Sequence, residues 1–208
     1  MGSTALLDII GSSIIGGLLL LAALRMNDSA TTNTFHSQEQ LTVQENMTSL
    51  VNNLEYDFRK IGYASDPTRV PQSNSMILLG DTTRIRFLAQ LDANGSLDTV
   101  EWYLGTDSSI CANPHVKMLY RRVASPTAGS VVYASNLGVR QFSLLYFTQS
   151  VANGPIDTLN TPFYSPTLAK LIEIDLRVEP TSAYDTAYSS TFSVWRQIRL
   201  TSMNLVNR

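Results

Sequence analysis

The stretch "LLDIIGSSIIGGLLLLAALRMN", residues 6–27, decides how the rest of the chain is read. From Ile9 to Leu24 no residue is charged. As a helix those positions cover roughly 24 Å, a little less than the roughly 30 Å of a typical hydrocarbon core. Starting the span at Ala5 lengthens it but brings Asp8 inside. A cleavable secretory signal opens with basic residues, and this segment opens Met1-Gly2-Ser3-Thr4. Read as a plain anchor, the segment would place Arg25 in the cytoplasm, because nothing before it is basic. Asp8 speaks against a plain anchor. An ionised carboxylate at membrane depth is costly unless it is paired, so it marks a functional position. An amine or a backbone N–H would serve as its partner, and the dipole of a helix beginning just before it would help. The blander reading leaves Asp8 at the level of the lipid headgroups. Gly16-Gly17 costs a helix about 2 kcal/mol relative to two alanines. Small residues let helix backbones approach closely, so the pair points to helix–helix packing or to local stretching.

The polar stretch "NDSATTNTFHSQ" follows, poor in helix formers and open between helix, loop and melted turn. A new period then appears. Leu41, Met47, Leu50, Val51, Leu54, Phe58 and Ile61 form one apolar stripe, stepping by threes and fours from Met47 onward. Gln44, Glu45, Asn46, Asn52, Asn53, Glu55, Asp57 and Arg59 make the opposite face. Gly62 suits the position after a helix, and Pro67 lies beyond it. The helix is therefore expected to end near residue 61. Unbroken from Ser3 to Ile61 it would be about 88 Å long.

From Asn74 the period changes to two. "TRIRFLAQL" sets Ile85, Phe87 and Ala89 against Arg84, Arg86 and Leu88. "LDTVEWYLG" sets Val100, Trp102 and Leu104 against Thr99, Glu101 and Tyr103. "DANGS" (92–96) between them is a hairpin turn. Its residues Asp92, Asn94, Gly95 and Asp98 also resemble part of a calcium loop, which needs more oxygen ligands than the stretch holds. "HVKMLYRRV" and "GSVVYAS" are further strands. "GVRQFSLLYF" (138–147) places Val139 and Gln141 opposite Arg140, Phe142 and Leu144. "KLIEIDLRVEP" has Ile172, Ile174, Leu176 and Val178 inside and Glu173, Asp175 and Arg177 outside. "STFSVWRQIRLTSMNL" aligns Phe192, Val194, Ile198 and Leu200. Alternation this regular predicts an antiparallel sheet with one solvated face. "SDPTRVPQSN", "CANP", "SPTAG" and "NGPIDTLNTPFYSP" read as loops, the last as an exposed surface feature. The fold class is α+β. A long N-terminal helix, apolar in its first half and amphipathic in its second, packs on an antiparallel β-sheet. The segments are 1–26 for the apolar helix, 27–62 for the amphipathic helix and 63–208 for the β-rich head.

Lys and Arg total 15 against 17 Asp and Glu, so no basic excess points to nucleic acid. The one cysteine, Cys111, allows no intrachain disulfide and no cysteine-based metal site. His36 and His115 stand in polar or loop contexts outside any metal spacing. No nucleophile elbow, phosphate loop or dinucleotide fingerprint occurs. The carboxylates alternate outward along strands, as on a solvated face. Tyr103, Tyr120, Tyr146, Trp102 and Trp195 fall at strand spacing, as packing residues do. Neither an enzyme nor a cofactor or metal is expected.

This layout resembles the type IV pilins and type II secretion pseudopilins, in particular their larger minor-pilin-like subunits. An apolar N-terminal helix with one acid near its start carries the resemblance. So do the helix end "LVNNLEYDFRKIGYA", the hairpin "FLAQLDANGSLDTVEWYL", the strand "NLGVRQFSLLYF" and the closing strand "FSVWRQIRLTSMNL". The family's acid is usually Glu at the fifth mature position; cleavage after Gly2, its processing site by this resemblance, would make Asp8 the sixth. The family's usual C-terminal disulfide has no counterpart here. The resemblance implies a structural filament subunit, with residues 1–26 as a membrane span and then a filament core. It gives Asp8, Gly11, Gly16, Gly17, Leu18 and Leu21 to subunit assembly, with Asp8 meeting the N-terminal amine of a neighbour. It gives Met47, Leu50, Leu54, Phe58 and Ile61 to helix–sheet packing. The implied partners are copies of the chain or homologous pilins, the inner membrane before assembly, and a prepilin peptidase with its assembly machinery. The filament, a pilus or a secretion pseudopilus, would stand outside the cell. The alternative from the residues alone is a monomeric, membrane-anchored surface or periplasmic module that binds a ligand.

Overall fold

The computed structural model describes residues 2–66, 68, 76–92, 95–106, 111–148, 157–166, 169–182 and 193–201. Asn94, Phe192 and most of the 65–74 loop lie outside them. The chain divides into two compact units, Met1–Leu41 and Thr42–Arg208.

One helix, α1 (Gly2–Arg59), runs through both units without a break. The stretch 27–37 that the sequence left open is therefore helical. Three of its hydroxyls bond back within the helix itself. Thr31 donates to the Asn27 carbonyl at 2.9 Å, Thr34 to Ala30 at 2.9 Å and Ser37 to Asn33 at 2.9 Å. Such back-bonding gives poor helix formers a local partner that does not interrupt the ladder. The helix stops two residues before the expected end. The N–H groups of Lys60 and Ile61 turn to Asp57 and Phe58, three residues back, in a tightened last turn. Gly62 then takes φ +71°.

The second unit holds the sheet. Its strands are β1 (Ile77–Gly80), β2 (Arg84–Ala89), β3 (Asp98–Leu104), β4 (Lys117–Ser125), β5 (Gly129–Thr148), β6 (Asp157–Thr158), β7 (Phe163–Tyr164), β8 (Leu171–Val178) and β9 (Val194–Leu200). Every pairing is antiparallel, in the order β7-β1-β2-β3-β4-β5-β8-β9, with β6 added beside β5. This is the α+β arrangement expected from the two periodicities. Met47, Leu50, Val51, Leu54, Phe58 and Ile61 are buried against Ile85, Phe87, Val100, Phe142, Leu144, Ile174 and Leu176 in one core. The Phe58 and Phe87 rings meet edge to face at 5.7 Å. Leu41 is not part of the stripe; it is 59 % exposed, and Val43 is buried in its place. Val43 stands four residues before Met47, one helical turn, whereas Leu41 stands six before it. Asp57, expected on the polar face, is also buried.

Two strands read separately from sequence are one. "GSVVYAS" and "GVRQFSLLYF" both lie in the 20-residue β5. Its first part pairs with β4 and its second with β8. The change of partner occurs around Gly138, which has φ +79°. A bulge follows, where Val139 opposes Val178 but Gln141 opposes Arg177. The extra residue reverses the alternation. Val139 therefore joins Phe142 and Leu144 in the core, while Gln141 is exposed, so the expected grouping of Val139 with Gln141 does not hold. The described part of "NGPIDTLNTPFYSP" is not a free loop either. β6 pairs with Phe147–Thr148 and β7 with Leu79–Gly80. The Phe163 ring occupies the place of a side chain at Gly80, where a Cβ would come within 2.2 Å of it. Two-residue strands are too short to show a period, which is why the pattern missed them.

Gly138 is the most constrained backbone position of the sheet. A Cβ there would lie 2.0 Å from the Glu179 carbonyl oxygen, and the Glu179 N–H donates to the Gly138 carbonyl at 2.8 Å. Gly138→Ala is expected to cost about 2–4 kcal/mol, from positive φ and the backbone clash together. Urea unfolding of the detergent-held full chain measures it; a loss below about 1 kcal/mol would contradict this reading.

Candidate functional site

The first unit presents an apolar surface with no cover of its own. Leu6, Leu7, Ile9, Ile10, Ile14, Ile15, Leu18, Leu19, Leu20, Leu21 and Leu24 are each more than half exposed. The helix is long and apolar enough, by length and composition, to cross a membrane. Its polar groups inside the apolar run are already paired. Ser12 and Ser13 both donate to the Ile9 carbonyl, at 3.0 and 2.8 Å. No hydroxyl there would enter lipid, or a packed helix surface, with its proton unpaired. Between Leu6 and Leu24 Asp8 is the one charged residue, and it is exposed. No acid stands in the first turn of α1. Asp8 sits in the second turn, where the support of the helix dipole falls off. A Cβ added at Gly11, Gly16 or Gly17 would touch nothing within 4 Å. These glycines make no room for anything in their own chain. Gly2 is the first residue of the helix.

In the second unit the polar centre is Asp57. β3 and β4 place Trp102 and Arg121 directly opposite each other on the helix-covered face. Asp57 comes down from α1 between them and is 1 % exposed. Its Oδ2 accepts the indole N–H of Trp102 at 2.8 Å and the Nε–H of Arg121 at 2.6 Å. Its Oδ1 accepts from the other arm of Arg121 at 2.9 Å. The hydrogen bond to Asp57 raises the Arg121 guanidinium further above its already high value, against the opposing effect of burial. A cleft of about 330 Å³ opens beside this group, lined by Asn53, Tyr56, Arg121, Tyr133 and Ser135 among others. The sequence did contain a signal: Asp57 is three residues after Leu54 and seven after Leu50, on the flank of the stripe.

The other face of the sheet corrects a further expectation. Glu101, Glu173 and Glu179 are buried, while Asp175 stays partly exposed. Glu101 is 2 % exposed and Glu173 5 %. Arg84 and Arg86 reach the same oxygen of Glu101 at 2.6 and 2.9 Å, and Arg122 stands 3.9 Å from the second oxygen. Glu173 accepts from Arg199 at 2.5 Å and from Gln197, and Asp175 accepts from Gln141 and Trp195. Glu179, fully buried, accepts from Arg140 at 2.6 Å. Long arginine stems from neighbouring strands cover the shorter acids, which alternation alone does not reveal. The Tyr103 and Tyr120 rings stack at 5.1 Å on this face, while Trp102 and Tyr146 are core residues and Trp195 is exposed. Tyr146 donates to the Asp81 carbonyl at 3.0 Å, and burial pushes its phenol well above the ordinary range.

The remaining candidates separate. Cys111 donates to the Asn113 carbonyl, and the His115 backbone N–H to the Asn113 side chain, so both belong to one loop. Asp98 turns inward and accepts the Leu91 N–H at 3.2 Å. Among the described residues no three His, Cys, Asp or Glu side chains gather as metal ligands. Comparison with protein-family models and with curated proteins finds no match for this chain.

Asp57→Ala strands a half-buried guanidinium and the Trp102 N–H. We expect a loss of about 3 kcal/mol in urea unfolding, and recovery of most of it when Arg121→Met is added. An equal loss in the single and double variants would show that the ion pair is not what holds the helix there.

Proposed function

We propose that this chain is a structural subunit of an extracellular type IV pilus-like filament, held together by bundling of its N-terminal helices. The observation that carries the proposal is the unclothed apolar helix of the first unit. A plain anchor needs apolar length alone. This one adds a lone carboxylate at Asp8, glycines that serve no contact in their own chain, and serines whose hydroxyls are already satisfied. Each is suited to a helix that exchanges lipid for other helices. Gly11, Gly16 and Gly17 admit close backbone approach, and Leu18 and Leu21 fill the space between neighbours. Asp8 pairs with the N-terminal amine of an adjacent copy. Both charges are then neutralised in a dry core, and the pairing rewards the correct stagger more than it adds net stability.

In this reading the subunit waits in the inner membrane, a prepilin peptidase and assembly machinery process and move it, and the sheet domain becomes the outer layer. It does no catalysis. A second reading, a monomeric membrane-anchored binding module, draws its support from the cleft beside Asp57 and Arg121, where Tyr56 and Tyr133 offer aromatic surface.

Electron microscopy of sheared cell-surface material separates the two. We expect fibres that yield this sequence on peptide mapping. Asp8→Ala should leave a folded, membrane-held subunit and reduce fibres at least tenfold, roughly the loss of a 1.4 kcal/mol contact at each step of growth. Normal fibre yield from that variant would sink the role of Asp8. Detergent-extracted protein that stays monomeric, with no fibres in the sheared material, would favour the binding module.

A further inference from the structure

The change of partner along β5 leaves a strand edge open. Val139–Phe147 pair with β8, whereas Gly129–Ser135 pair with β4 alone. Among the described residues no strand lies on the other side of that first part. Gly129 through Ala134 are all exposed, and Val131, Val132 and Tyr133 are each about half exposed. In an antiparallel pair alternate residues turn their N–H and C=O groups away from the partner strand. The first part of β5 therefore presents a row of backbone donors and acceptors along its outer side.

Exposed edges are ordinarily blunted by charge, by proline or by a bulge. This one has none of the three along its length. From Ala124 to Val139 no residue is charged. Pro126 stands before the strand, in the turn. Gly138 and the bulge come only where β8 takes over. The run "SVVYAS" (130–135) is instead rich in β-branched and aromatic residues, which favour pleated backbone. Val131 and Tyr133 stand opposite Val123 and Arg121, on the helix-covered face of the sheet, and Val132 stands opposite Arg122 on the other face.

We propose that the open edge of β5 pairs antiparallel with the same edge of a second copy of this chain, joining two sheets into one. The two-fold axis of such a pair stands normal to the sheet, so residues that oppose each other must lie on the same face. A pair centred on Val132 meets that condition. Val132 then opposes its own mate, Val131 opposes Tyr133, and Ser130 opposes Ala134. β-Branched and aromatic pairs of this kind stabilise a sheet. No like charges are set against each other. The nearest cations, Arg122 of each copy, lie in β4, three strand spacings or about 14 Å apart, beyond the roughly 8 Å over which exposed charges act at physiological salt. An edge without charge offers nothing to select a charged strand, whereas an identical edge matches its length, pleat and twist. The pair closes at two copies and does not by itself build a polymer. It stands or falls apart from the filament reading.

The test is sedimentation of the full-length protein in detergent over a range of concentrations. We expect a dimer that dissociates on dilution. Val132→Lys sets two ammonium groups against each other at the two-fold axis and should raise the dissociation constant about tenfold or more. Val132→Glu should give a smaller loss, because Arg122 beside it in the same copy shares its charge. An equimolar mixture of the two variants should pair more tightly than either alone, since lysine then meets glutamate; that recovery also shows that both variants are folded. A wild-type chain that stays monomeric at its highest soluble concentration overturns the proposal. So does a dimer indifferent to Val132→Lys, which would place the contact elsewhere, on the apolar helix for example. Loss in both variants with no recovery on mixing overturns it as well. Fibre yield is scored separately. Fibres from a chain that fails this test leave the filament reading standing, and recovery on mixing without fibres supports the edge and removes the filament.

Discussion

The helix can cover only one face of the sheet, and one buried carboxylate determines where it sits. Apolar packing between α1 and the strands is non-directional; Met47, Leu50, Leu54 and Phe58 would tolerate a small slide or rotation. Asp57 does not tolerate it. Three donors from two adjacent strands converge on its two oxygens. A displacement of an ångström or two would leave a guanidinium and a carboxylate buried apart, which is far costlier than the loss of a few methyl contacts. Helix, β3 and β4 are thereby held in register, and the remaining strands are added outward from that centre.

The same chemistry appears on the opposite face in a looser form. Glu101, Glu173 and Glu179 are covered by arginines from neighbouring strands, whose stems supply apolar cover and whose heads stay near water. These contacts tie strands to one another across β2–β4 and across β5–β8–β9. Around Glu101 three arginines, Arg84, Arg86 and Arg122, gather on one carboxylate. The apolar helix surface from Leu6 to Leu24 is incomplete, because nothing in its own unit removes it from water. The apolar helix surface is compatible with membrane anchoring.

Much of the architecture was legible from periodicity. Hydrophobic steps of three and four placed Leu50, Leu54 and Phe58 on one helical face. Alternation placed Ile85, Phe87, Ile172, Ile174 and Leu176 inside. Both follow from local geometry, since a helix or strand directs its side chains regardless of what covers them. The errors fell where local geometry was interrupted or where distant residues decided. The bulge after Val139 reversed a strand's faces. The two-residue strands β6 and β7 carried no period. Leu41 lies off the stripe once Val43 is counted in it. Asp57 reads as polar and therefore outside until Arg121, 64 residues later, is brought beside it.

The sequence by itself determined an apolar helix with a single acid, an amphipathic continuation and an antiparallel sheet with one face apolar. Those properties reside in the order of residue types and survive without any partner. The polar stretch 27–37 is helical with hydroxyls bonded within the helix itself; only the tertiary structure decided that β5 changes partners at Gly138. It also decided that Asp57 is a buried anchor and that the outer carboxylates lie beneath arginines. In each case the free energy depends on a partner remote in sequence, or on a backbone conformation that residue type alone does not specify. A carboxylate is hydrophilic in the chain and becomes a core residue only where folding assembles enough donors to replace its water.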